Sequence, residues 1–230
     1  GGNYYFINAP KKVVSMFEKE LGGLAETVAK GASLVIELGE GVDLQNVHGY
    51  PSRRSGQRVY VSLSEFFAEQ TKSVLLEMTT HVEQSRPKSV VDVELSYEDL
   101  IGERPAHHQV ELTAAASDNA AELERATNKR VISRVQQVEV ATSIDDAMEA
   151  FESGDKERAE RVLERQHRKV KQAQQKFGLP DKSIDTVKKK LEGTKKSVRE
   201  HASGSSAGKT VIKRKKAESN IMLLDSSSTK

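Results

Sequence analysis

The stretch GSSAGKT, Gly204 to Thr210, holds glycines, a lysine and a hydroxyl of the kind used to cradle phosphate. A P-loop needs G-x-x-x-x-G-K-[ST] after a strand and before a helix. Here three residues separate Gly204 from Gly208, and Ser203 stands where the first glycine belongs. The following VIKRKK is short and basic with no βαβ unit around it, so the stretch reads as a flexible Gly/Ser linker rather than a phosphate nest. His107 and His108 fall in a predicted loop. On an extended segment their side chains point apart, and no His-x-x-x-His or His/carboxylate spacing accompanies them. Glu98 and Asp99 follow Tyr97 at the end of a predicted strand. They read as a solvated strand end rather than an acid pair. Lys188 to Lys190, Lys195-Lys196 and Lys213 to Lys216 could contact phosphates. No aromatic stacking platform accompanies them, and DKERAERVLER (155–165) alternates in sign as a salt-bridged helix face does.

The elements that would position these residues change character along the chain. Tyr4, Tyr5, Phe6 and Ile7 form a continuous apolar run, read as a buried strand. Asn8 and Pro10 then offer a cap and first turn for a helix bearing Val13, Val14, Phe17, Leu21, Leu24, Val28 and Ala29, with Gly31 as its C-cap. From residue 33 the period falls to two. SLVIELG, VDLQNV, RVYVSLS, SVLLEMTTHV, SVVDVELSY and HQVELTAAA are strands separated by turn signals, and no helical crossover fits between them. An antiparallel β-sandwich is the expectation.

Helical spacing returns from about residue 126 with Val131, Val135, Val138, Met148 and Phe151. Ser143 and Asp146 resemble a capping box that would restart the helix, although the β-branched VISRVQQVEVAT leaves a strand open. Gly154-Asp155 marks a stop and restart, and Gly178 and Pro180 a second stop. Val162, Val170 and Phe177 are expected to face Ile184, Leu191 and Val198 in a helical hairpin. AMEAFESGDKERAERVL also matches one tetratricopeptide-like helix pair, and one pair makes no repeat array.

Charge divides the chain in the same way. Residues 155–200 carry 15 Lys/Arg against 8 Asp/Glu, and residues 201–230 carry 6 against 2. Residues 1–154 carry 15 against 24, and 10 of the 11 Phe and Tyr lie at or before residue 151. There is no Cys, which excludes disulfides and thiolate metal sites. No apolar run approaches the ~20 residues of a membrane span.

This order of elements resembles the C-terminal part of von Willebrand factor A-type (VWA) domain proteins. The main carrier is GGNYYFINAPKKVVSMFEKELGGLAETVAKGASLVIEL, like the last strand and last helix of a VWA domain. VHGY and VELSYED resemble segments of the β-sandwich that follows, and AMEAFESGDKERAERVL (Ala147 to Leu163) resembles the helical tail. The resemblance implies a chain that starts after the metal-ion-dependent adhesion site, so Mg²⁺ is expected only in the missing upstream half. The nearest string to the D-x-S-x-S motif is DSSST (Asp225 to Thr229), in a polar tail without a preceding strand.

The expected fold is α+β. A VWA remnant (1–32) leads into a β-sandwich (33–125), a helical region (126–200) and a disordered basic tail (201–230). No residue is assigned a catalytic, cofactor-binding or metal-binding role. The expected function is non-enzymatic protein–protein interaction or scaffolding with a protein partner. The alternative is a basic helical adaptor that binds a membrane or nucleic acid through its tail.

Overall fold

The structure, a computed structural model, describes residues 27–80, 87–224 and 226–228. The expected strand at Tyr4 to Ile7 and most of the helix after it lie outside the described residues. The chain forms two compact units, one of strands up to Asp118 and one of helices from Asn119 to Leu223. The described elements combine antiparallel sheets with five helices.

The β unit contains β1 (Thr27–Leu38), β2 (Val42–His48), β3 (Ser52–Ser55), β4 (Arg58–Phe67), β5 (Gln70–Lys72), β6 (Leu75–Thr80), β7 (Lys88–Asp99) and β8 (Arg104–Ala114). One sheet has the order β3-β4-β1-β7-β8, and β2 pairs with β6 separately. All pairings are antiparallel. Alternation sets the faces. Ala32, Ile36 and Leu38 of β1 are buried with Val59, Val61 and Leu63 of β4 and Val91 of β7. Val42 of β2 is buried in the same cluster, and Leu44, Val47, Leu76 and Met78 of the β2–β6 pair pack on it. Each fully buried aliphatic of this kind contributes about 1.5–3 kcal/mol.

Three local details depart from the sequence expectation. Thr27 to Lys30 extend β1 rather than ending a helix, so the boundary drawn at residue 32 moves. Gly31 does have the left-handed φ that a C-cap needs (+63°), but it uses it where the β1 register shifts against β4 and β7. Ser52–Ser55, inside the expected turn PSRRSG, form the edge strand β3.

The helical unit contains α1 (Ala120–Ala126), α2 (Lys129–Glu152), α3 (Lys156–Phe177), α4 (Asp181–Glu200) and α5 (Ser206–Leu224). Asn119, Asn128 and Asp155 accept hydrogen bonds from the first free N–H groups of α1, α2 and α3. The unit therefore begins before residue 126. Helix α2 runs unbroken through Ser143 and Asp146. Ile144, Ala147 and Met148 are all fully buried, and that packing decides the matter over a local capping box. Gly154 (φ +90°) and Gly178 (φ +56°) provide the turns between helices.

One apolar cluster joins four helices. Val170, Ile184, Leu191 and Val198 are in it with Val162 and Phe177 packed against them, but Val140, Ile144, Met148 and Phe151 of α2 enter the same core. The hairpin is part of a bundle.

The expected disordered tail is instead largely α5. Val211, Ile212 and Met222 are buried in the helical core. Ser205 Oγ accepts from Gly208 N–H at 3.0 Å, an N-cap arrangement. Beyond α5, β9 (Ser226–Ser228) pairs antiparallel with β5.

Candidate interaction surface

The five-stranded sheet ends in two unlike edges. β3 is four residues long, fully exposed, and carries Arg53 and Arg54. The Arg53 guanidinium lies 5.1 Å from the Tyr60 ring centre, and Arg54 Nη1 donates to Asp43 Oδ1 at 3.2 Å. β8 is eleven residues long and pairs only with β7 among the described residues. Its register runs without a shift from Leu112 opposite Val91 to Arg104 opposite Asp99. Edge strands are usually shortened, bulged or charged, because their unpaired N–H and C=O groups recruit other strands. β8 is neither short nor bulged.

Its side chains add to this. Val110 lies opposite Val93, and Leu112 opposite Val91. Directly opposed residues share a face, so both point to the side on which Val91 and Val93 join the core. Yet Val110 is 57% exposed and Leu112 51%. The apolar face of the sheet thus extends one strand beyond the buried cluster.

The sequence-singled residues gather around the same hairpin. His107 and His108 lie in β8 rather than a loop, and they take separate partners as adjacent strand residues must. The His108 ring stacks on Tyr97 with centres 5.8 Å apart, and Tyr97 Oη lies 3.2 Å from His108 Nε2. His107 Nδ1 lies 3.2 Å from Ser96 Oγ and 3.5 Å from Glu94 Oε1. A hydroxyl, an imidazole and a carboxylate meet here, but no relay is formed. A nucleophilic triad uses one ring nitrogen for the hydroxyl and the other for the carboxylate. Here one nitrogen faces both.

Glu98 and Asp99 are not an acid pair either. Glu98 Oε1 is 3.3 Å from Lys30 Nζ. Asp99 Oδ1 accepts from Ile101 N–H and Gly102 N–H at 3.0 Å each, and these bonds hold its carboxyl below the usual value. That arrangement shapes the turn into β8. A shallow groove of about 380 Å³ lies beside it, bordered by Gly31, Glu98, Glu103, Arg104 and His107.

The other candidates resolve into structure. Gly208 and Lys209 are in the first turn of α5, and an added Cβ at Gly208 would lie 2.0 Å from the Ala202 carbonyl oxygen. The glycine serves close backbone approach, and no strand precedes the helix. Most of the basic run is engaged within the helical unit. Lys215 Nζ pairs with Glu218 at 2.7 Å, Lys216 Nζ with Glu152 at 2.8 Å, and Lys195 with Glu164. Lys190 is half-buried, and desolvation lowers its pKa. Lys209 and Lys213 stay exposed. A groove of about 330 Å³ on the α3–α4 seam has Leu163 and Leu191 in its wall and the Lys195–Glu164 ion pair across it, with His167 Nε2 3.5 Å from Glu192 Oε1.

Among the described residues no three His, Asp or Glu side chains converge as a hard-cation site requires. Among the described residues no helix is long and apolar enough to cross a membrane.

No family model matches the chain, and no curated protein matches it. Solved structures do. The von Willebrand factor type A protein from Catenulispora acidiphila aligns with a TM-score of 0.62 at 13% identity, over 95% of this chain and 51% of that one. The ArnB paralog VWA2 from Sulfolobus acidocaldarius aligns with a TM-score of 0.45 at 13% identity, over 95% of this chain and 48% of that one. The chain spans about half the length of these structures. The first likeness shows a mixed α/β, VWA-like fold. It runs through both units, whereas the sequence resemblance assigned only residues 1–32 to the VWA domain itself.

Proposed function

We propose that this protein is a non-enzymatic interaction and scaffolding module that engages a protein partner through the β8 edge. VWA-like folds commonly mediate protein interactions. The observation that carries the reading is the pairing of an eleven-residue edge, open among the described residues, with the exposed apolar side chains Val110 and Leu112. Strand addition supplies affinity through main-chain hydrogen bonds, and alternate side chains supply selectivity.

A photo-crosslinking residue at Leu112, compared with one at Arg53 on the opposite edge, tests this in the cells that make the protein. A discrete protein adduct is expected from position 112 and none from position 53. Equal adducts at both edges, or none at position 112, would overturn the proposal.

A further inference from the structure

We propose that β8 pairs antiparallel with β8 of a second copy of this chain, centred on Gln109, so that two five-stranded sheets join across a two-fold axis. This rests on the reading of β8 as the interaction edge and names its occupant.

The strand is complementary to its own reverse. With Gln109 opposite Gln109, His107 faces Glu111 of the other copy, and Glu111 faces its His107. On the other face His108 meets Val110 and Ala106 meets Leu112, each twice. Opposed cross-strand pairs are the unit of sheet stabilisation, and two-fold symmetry repeats every one.

His107 is prepared for this. Its Nδ1 is turned to Ser96 and Glu94 within the chain, while Nε2 takes no partner among the described residues. A carboxylate opposite, at Glu111, would accept from it. The exposed apolar row would be covered by the partner's equivalent row. Pro105, which lacks an N–H, sits near the end of the strand, where a lost ladder bond matters least. The unshifted register from Arg104 to Leu112 leaves no bulge to prevent a second ladder.

The chain has no Cys, so a single introduced thiol reports on register cleanly. Directly opposed residues have Cα atoms about 4.5–5.5 Å apart, within the range a disulfide spans. Gln109→Cys should oxidise to a covalent dimer far faster than Thr113→Cys, whose own counterpart lies well along the strand. Sedimentation velocity of the full chain should show a dimer. Val110→Lys should weaken it by about tenfold or more while the circular dichroism spectrum stays native.

A monomer at every concentration tested would overturn the proposal. So would a dimer unaffected by Val110→Lys, or equal oxidation at positions 109 and 113. If the chain is monomeric yet Leu112 still crosslinks to a different protein, the edge remains an interaction site and self-pairing falls. If neither occurs, both readings fall.

Discussion

Asp145 shows how one titrating group can tune the attachment of a helix. It lies on α2, half-buried, and accepts a hydrogen bond from Ser219 of α5. Burial raises its pKa above the ordinary 3.8, partly offset by the Ser219 hydroxyl and the charge of Lys216. Folding therefore favours the protonated carboxyl. The stability this gives is complete below 3.8 and is lost as pH rises through the raised value. Asn at this position keeps an oxygen for Ser219 and carries no charge. Asp145→Asn should unfold at a higher temperature than wild type at neutral pH, and the gap should close at about pH 4 and below. Circular dichroism melts across that range check it; a gap that widens toward acid would contradict the assignment. Arg134 secures α5 about one turn further on, at its C-terminal end. Its guanidinium donates to the carbonyls of Met222 and Leu223, where a cation meets the negative end of the helix dipole.

At the scale of the element, α5 explains a motif that looked chemical. Gly208 is pressed against the 202–203 backbone, and the closest approach of an added Cβ is 2.0 Å to a carbonyl oxygen that cannot swing aside. Gly208→Ala should destabilise the helical unit by about 1–3 kcal/mol in urea unfolding, whereas Lys209→Ala, at an exposed position, should leave it unchanged. The helix itself was hard to read from sequence. Its buried apolar residues Val211, Ile212 and Met222 give no continuous stripe, and Lys215 is buried only because Glu218 pairs with it. The strands were easier. Ile36 and Leu38, or Val59, Val61 and Leu63, alternate so regularly that burial on one face follows directly. β3 escaped because SRRS is exposed on every residue and carries no alternation. The site escaped for another reason. That Tyr97 stacks on His108, and that Val110 is exposed although it faces the core side, depend on strand register and on which strands the second layer covers. Neither is written in local sequence.

Across the molecule, the two units keep separate cores and should lose them separately. Phe151 is 1% exposed within the helical core. Phe151→Ala should cost that unit about 3–5 kcal/mol. In hydrogen-exchange mass spectrometry, amides in 129–223 should lose protection while those in 27–114 keep theirs. Equal loss in both would mean one cooperative fold. The unequal edges of the sheet also bear on how far association can go. An edge that added strands at both sides would have a valency of two and would grow into a filament. Here β3 offers four residues with two arginines, so a second strand arriving there meets charge and little ladder to hold it. With β8 open and β3 closed among the described residues, the sheet has a valency of one. Any strand-mediated assembly that it makes ends at the first partner.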